Sequence, residues 1–187
     1  MNLNRISSAI IAAVCLMPVG AHAAEKAGVK MPDTVSVGGK TLQLNGLGVR
    51  EATIFAIDVY VAGLYVPEKS NNAQKLMTAD VPKKLVLTFV RDVDADDVTK
   101  AFVESFKKNK FSEKIQSKLK TLNGWMSDMK DEQSMSFTYV PGEGMTVEVR
   151  GEKKGTIEGA DFQQSFLAIW LGSSPPNSGL KKGLLGK

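Results

Sequence analysis

The run from Thr53 to Val66 constrains the fold of this chain more than any other segment. It is long, rich in β-branched and aromatic residues, and followed directly by Pro67. Such a composition favours a pleated, partly buried strand, and proline ends it. Residues 84–90 (KLVLTFV) have the same character and predict a second strand. The core of the chain is therefore expected to be a β-sheet.

Turn signals and hydrophobic spacing predict the other elements. Asn45–Gly48 is interpreted as a break between two strands, and Gly124 lies within the second of two predicted helices. The elements expected are a hairpin over 34–44, short helices over 70–79 and 178–185, helices beginning near 94 and 112, strands over 134–140, 145–150 and 156–157, and a helix over 161–171. Strands, two helices, three strands and a helix predict an α+β fold, with a helical layer on one face of a mostly antiparallel sheet.

The N-terminal residues have the pattern of a secretory signal peptide. Arg5 precedes an apolar segment, Ala9–Met17, and Ala21-His22-Ala23 matches a small-x-small cleavage site. We expect cleavage after Ala23 and a periplasmic or secreted protein. The apolar run is nine residues long, against roughly 20 for a membrane span, which argues against a stable membrane anchor. A lipoprotein at Cys15 is disfavoured because large Val14 precedes it.

The predicted domain organisation is a signal peptide over 1–23, a polar leader over 24–33 and a single domain over 34–187. Cleavage would remove the chain's one cysteine and one histidine, Cys15 and His22. The mature chain could then form no disulfide and no catalytic centre that depends on histidine or cysteine. It would also lack the ligands of common zinc and transition-metal sites. We therefore expect no metal and no cofactor.

Lysines are concentrated in one part of the chain, at 107–111 (KKNKF) and at Lys114, Lys118 and Lys120. No nucleic-acid-binding motif or phosphate-binding glycine loop accompanies them. Loss of Arg5 with the leader would reduce the formal charge from +4 to +3, which is mild. The cluster is interpreted as a solvated helix face rather than as a nucleic-acid site.

Three stretches of the sequence resemble one known family. They are G-L-G-V-R at 46–50, A-G-L-Y at 62–65 and I-E-G-A-D-F-Q-Q-S-F-L-A-I-W-L-G at 157–172. They are similar to the chalcone isomerase-like family, and the resemblance extends over roughly residues 35–185. It implies an open-faced β-sandwich with a ligand cleft between sheet and helices. Plant members isomerise chalcones to flavanones, whereas others bind fatty acids without catalysis.

The resemblance assigns roles residue by residue. The family arginine, which steers the enone oxygen in the enzymes or a carboxylate in the fatty-acid binders, corresponds to Arg50. Tyr60 occupies a position that is threonine in the plant enzymes, and a tyrosine there resembles the fatty-acid binders. The enzymes' other tyrosine falls near 97–98, and their asparagine near 104–105, where this chain has neither residue type.

Arg50 and Tyr60 could together hold a carboxylate. A guanidinium is always charged and can bind a carboxylate through two parallel bonds, and a phenol can donate a third. Asp58 should share a strand face with Tyr60, so it could line the pocket or instead pair with Arg50. Phe102 and Phe106 lie at helical spacing and could be core or pocket lining.

Three functions remain open from the sequence. The first is a non-catalytic binder of a fatty acid or similar amphipathic carboxylate, held at Arg50 and Tyr60. The second is an intramolecular lyase in which Arg50 polarises a chalcone-like enone. The third is a structural or interaction module that kept the fold and lost the pocket. A small amphipathic or phenolic ligand is the partner expected from the first two, and nucleic acid is not expected.

Overall fold

The computed structural model describes residues 23–52, 57–109 and 112–187. Its strands are β1 (Ala23–Lys26), β2 (Val29–Pro32), β3 (Thr34–Val37), β4 (Lys40–Ala52), β5 (Ile57–Val66), β6 (Lys83–Phe89), β7 (Ser134–Val140), β8 (Gly144–Val149) and β9 (Glu152–Ile157). Its helices are α1 (Ala73–Thr78), α2 (Ala95–Asn109), α3 (Glu113–Asn123), α4 (Ala160–Leu171) and α5 (Ser178–Leu184). Among these described residues, no helix combines the length and apolarity needed to cross a membrane.

Strands β3 to β9 form one antiparallel sheet in which sequence neighbours are also spatial neighbours. Helices α2, α3 and α4 pack on one face, because each contributes apolar side chains to the larger core cluster. Phe166 lies at the centre of this cluster, with its ring 4.5 Å from that of Phe137 and 4.9 Å from that of Trp170. The predicted α+β fold with a helical layer on one face is confirmed.

A second hairpin covers the other face of the sheet. It includes most of the segment 24–33, which was predicted to be a polar leader. β1 and β2 pair antiparallel around Ala27 and Gly28, whose φ angles of 46° and 78° suit a tight two-residue turn. Met31 is consequently placed against the sheet and is only 3% exposed. Only one face of this hairpin is buried, so many of its residues are polar. The sequence of these strands therefore did not predict them.

The predicted break at Asn45–Gly48 is instead a β-bulge inside one long strand. β4 continues to Ala52, and its pairing with β5 shifts register between Leu44 and Gly46. The described part of the predicted strand over 53–66 is β5, which begins at Ile57. Residues 53–56 lie outside the described residues.

Two further boundaries differ from those predicted. α3 ends at Asn123, so Met129 lies outside the helix and forms an isolated bridge with Val93. β9 begins at Glu152 rather than near 156, because the turn from β8 needs only two residues. Arg150 and Gly151 both have positive φ, 55° and 77°, which gives the tight hairpin turn.

Glycines in β4 allow the C-terminal helix α5 to pack directly on the strand backbone. A Cβ on Gly48 would lie 2.3 Å from the Leu180 carbonyl oxygen, and one on Gly46 only 2.1 Å from that of Gly183. Asn45 strengthens this contact by donating a 2.6 Å hydrogen bond to the Leu184 carbonyl oxygen. The Gly-x-Gly pair is therefore a packing requirement of the strand that carries Arg50.

We predict that Gly48→Ala lowers the free energy of unfolding by about 1–3 kcal/mol, because the added methyl group must displace the α5 backbone. Denaturant unfolding of the purified protein measures the change. Gly179→Ala is the matched control, since its Cβ would meet only the Asn177 side-chain nitrogen at 3.6 Å. That control should be neutral or slightly stabilising. Equal effects of the two substitutions would contradict the packing role.

Candidate ligand-binding cleft

An open cleft of about 640 Å³ lies between the sheet and the helical layer. Strands β4, β5 and β6 supply its floor, α2 one wall and the end of α4 another. Its inner part is apolar, whereas charged side chains gather at its rim. The inner residues used below are Leu87, Phe89, Val98, Phe102, Ile169 and Trp170.

Arg50 and Tyr60 face one another in this cleft. They are register partners in the β4–β5 pairing, and both line the cavity. The Arg50 guanidinium donates one hydrogen bond to the Glu51 carbonyl oxygen. A guanidinium has five N–H groups, so this bond leaves most of them available to a ligand.

Trp170, in the helical layer, forms a hydrogen bond with Tyr60. The indole Nε1–H donates to the Tyr60 hydroxyl oxygen over 3.0 Å. Indole can only donate, so the Tyr60 oxygen is the acceptor and its own proton remains free to be donated elsewhere. Burial raises the pKa of Tyr60 to about 12, with the Trp170 bond and the Arg50 charge opposing the shift. The phenol is therefore neutral and a hydrogen-bond donor at neutral pH.

Asp58 was expected to lie at the site, and the structure places it outside the cleft lining. A register shift between Arg50 and Glu51 makes Asp58 the partner of Glu51. Within the described residues, no ion pair joins Asp58 to Arg50. Asp58 therefore does not neutralise Arg50 in the described structure.

The two candidate phenylalanines, Phe102 and Phe106, differ in their position relative to the cleft. Phe102 lines the cleft and also contacts Phe166 and Trp170, with ring centroids 6.0 and 6.2 Å away. Phe106 lies one helical turn further on, outside the cleft lining, and stacks on Phe162 at 6.3 Å. Phe102 is therefore both core and cleft wall, whereas Phe106 belongs to the core.

A profile of the family and a solved structure both match this chain. The model of the chalcone isomerase-like family matches residues 23–186. The chain belongs to the chalcone isomerase-like family. The crystal structure of an Arabidopsis thaliana fatty-acid binding protein superposes with a TM-score of 0.69 at 20% sequence identity, covering 88% of this chain and 96% of that one. No curated protein sequence matches this chain significantly.

The positions carried over from chalcone isomerase-like enzymes do reach the cleft. Residues 97–98 and 104–105 all line it. Their side chains are an aspartate, a valine, a glutamate and a serine. Arg50 therefore lines the cleft without the second phenol and the amide that the resemblance associates with catalysis.

Sequence reasoning missed several residues of the cleft. Arg91 follows the end of β6, two residues beyond Phe89, and is an exposed cation on the rim. Trp170 packs in the core and also donates a hydrogen bond to Tyr60, which is 110 residues away in the sequence. Alternation from Phe89 would have indicated Arg91. The Trp170 contact has no local signal, because it joins elements distant in the chain.

The tyrosines of the folded protein should titrate well above their ordinary pKa of 10. Burial is the main cause for all three, with the charge of Asp33 adding to it at Tyr65 and a hydrogen bond to Asp80 at Tyr139, and each pKa is raised to about 12. Because the folded pKa values are raised, their contribution to stability is intact below pH 10 and is lost as the pH rises towards 12. Ultraviolet titration should show almost no tyrosinate near pH 10 in folded protein, whereas in denaturant the titration should have its midpoint near pH 10.

The titration of Tyr60→Phe identifies the Tyr60 signal. Removing this residue should remove about one third of the high-pH absorbance change, since the chain has three tyrosines. A folded-state midpoint near pH 10 for the missing component would contradict the buried, neutral phenol described above.

Proposed function

We propose that this protein is a non-catalytic binder of a fatty acid or a similar amphipathic carboxylate. The observation that carries the proposal is the pairing of Arg50 with Tyr60 at an open, apolar cleft. The carboxylate would accept N–H bonds from the guanidinium and an O–H bond from the phenol. The hydrocarbon chain would lie along the apolar inner wall, between Phe89 and Ile169.

The chemistry of the pair suits a bound anion. Trp170 occupies an acceptor site of the Tyr60 oxygen, which leaves the phenol to act as a donor. A charge-assisted hydrogen bond inside a partly desolvated cleft contributes roughly 1.5–3 kcal/mol. The similarity in fold to a fatty-acid binding protein supports the same ligand class.

The alternative function is an intramolecular lyase acting on a chalcone-like enone, with Arg50 polarising the ketone. The residues at 97–98 and 104–105 favour the binder over this enzyme, because they offer neither the phenol nor the amide of the plant enzymes. An open cleft with Arg50 unpaired to Asp58 also favours a ligand-binding role over a purely structural module.

We predict that Arg50→Ala weakens fatty-acid binding by about 10- to 200-fold, the loss of one charge-assisted interaction. Native mass spectrometry of the purified protein should show a lipid-mass adduct on the wild type and none on the variant. Titration with a defined fatty acid then measures the two dissociation constants.

Arg150→Ala is the matched control for this experiment. It removes the same charge from an exposed turn outside the cleft lining, so its affinity should equal that of the wild type. Unchanged binding in Arg50→Ala would overturn the carboxylate clamp. Turnover of a 2′-hydroxychalcone that is lost in Arg50→Ala would favour the lyase instead.

We further propose that the protein works in the periplasm or outside the cell. The leader pattern over 1–23 supports this, and the family match begins at residue 23, beside the expected cleavage site. We predict that protein isolated from the periplasm has the mass of the chain from Ala24 to Lys187. Retention of the full-length mass would contradict both the cleavage site and the location.

A further inference from the structure

We infer that Lys107, Lys108 and Lys120, on helices α2 and α3, form a docking surface for anionic phospholipid membranes. The segment 107–120 contains six lysines and a single acidic residue, Glu113. A solvated helix face would explain exposed lysines, but it would not explain how they are arranged. In the described structure, Lys108 borders the ligand cleft, whereas Lys107 and Lys120 border a second, apolar groove.

Two of the lysines, Lys114 and Lys118, share one carboxylate partner within the protein. Lys114 and Lys118 bond to Asp161 over 3.0 and 2.9 Å, and these hydrogen bonds lower the pKa of Asp161 to about 2. Their charges hold α3 against the start of α4. They are therefore structural and are not part of the proposed surface.

Three other lysines have no ion-pair partner among the described residues. Lys107, Lys108 and Lys120 are all exposed. Lys108 lines the ligand cleft, on one side of α2. Lys107 and Lys120 line a groove of about 410 Å³ between α2 and α3, on the other side. The cationic surface is thus continuous with the mouth of the cleft.

The groove between α2 and α3 suits a bilayer in both charge and polarity. Its apolar lining comprises Val103, which is partly exposed, and Phe106 and Leu119, which are buried; its two cations are Lys107 and Lys120. Lysine stems can lie along apolar surface while their ammonium groups reach the lipid phosphates. Each lysine near an anionic bilayer adds favourable electrostatic energy. A phospholipid surface can therefore engage both the charges and the apolar groove.

Nucleic acid is the other polyanion that lysines could attract. Binding of single strands relies on exposed aromatic rings that stack with bases. The aromatic residue that lines this groove, Phe106, is only 3% exposed. Among the described residues that line the groove there is no exposed aromatic ring, and the observations favour the membrane.

The inference rests on the proposed function in one respect. Docking on a bilayer would let the fatty acid pass between the membrane and the adjoining cleft. The surface itself can be tested without a fatty acid. The probes are vesicles of phosphatidylglycerol and phosphatidylcholine in equal amounts, and vesicles of phosphatidylcholine alone. A failure here would not affect the Arg50 clamp. Unchanged fatty-acid binding in Arg50→Ala, which would overturn the clamp, would not affect the vesicle test.

The variant is Lys107→Glu with Lys120→Glu, which changes the groove and spares the cleft. The wild-type protein should sediment with the anionic vesicles at low salt, and not with the neutral ones. The double variant should bind anionic vesicles at least about 30-fold more weakly, from the contribution of two lysines. Binding should also weaken as salt screens the charges.

The matched control is Lys40→Glu with Lys153→Glu, which reverses two exposed lysines on strands β4 and β9 rather than on α2 and α3. It gives the same net charge, and its vesicle affinity should stay within about threefold of wild type. Lys107→Gln with Lys120→Gln repeats the groove test without placing a negative charge near the end of α3. Equal losses in groove and control variants, or no binding of wild type to anionic vesicles, would overturn the proposal. Tighter binding to single-stranded RNA, lost in the groove variants, would overturn it too.

Discussion

The hydrogen bond from Trp170 to Tyr60 joins the two layers of the fold at the place where the cleft opens. Trp170 is fully buried in α4 and Tyr60 lies in β5, so the bond fixes the helical layer relative to the sheet. It also decides the chemistry of the phenol. Because the indole can only donate, the Tyr60 proton is left for a partner in the cleft. One contact thus sets both the geometry of the site and its hydrogen-bond polarity.

The position of Arg50 depends on a different constraint, which is backbone packing. The glycines at 46 and 48 let α5 lie against β4 at a distance that no side chain would permit. Asn177 adds a 3.0 Å hydrogen bond to the Val49 carbonyl oxygen, directly before Arg50. Pro176, beside it, lines the cleft. The C-terminal segment therefore supports the strand that carries the arginine and also closes one end of the site.

Much of the fold was predictable because its signals are local. Alternating and continuous apolar runs identified the strands of the large sheet, and helical spacing identified α2 and α4. Tyr60 and Tyr65 are five residues apart in β5, so strand alternation places them on opposite faces. The Tyr65 hydroxyl accordingly donates to the Pro32 carbonyl oxygen, on the face away from the cleft. Strand pairing then made Arg50 and Tyr60 neighbours.

The parts that sequence reasoning missed depend on contacts between distant segments. In the sequence, Gly46 and Gly48 resemble a break between two strands. In the structure they allow α5 to pack on β4. In the sequence, the β1–β2 segment resembles a polar leader. In the structure its Met31 packs against the sheet. Strict alternation would place Asp58 beside Tyr60, but the register shift after Arg50 skips Val59 in the pairing and leaves Asp58 outside the cleft lining. In each case the local pattern was clear, and its meaning was set by tertiary packing.

The central claim is that the Arg50 guanidinium holds an ionised carboxylate. Nuclear magnetic resonance of a fatty acid labelled with ¹³C at its carboxyl group, bound to the protein and titrated with acid, measures this directly. A neighbouring guanidinium stabilises the charged form, so the pKa of the bound carboxyl should lie below that of the free acid in wild type and rise in Arg50→Ala. An identical carboxyl pKa in the two proteins would contradict the claim.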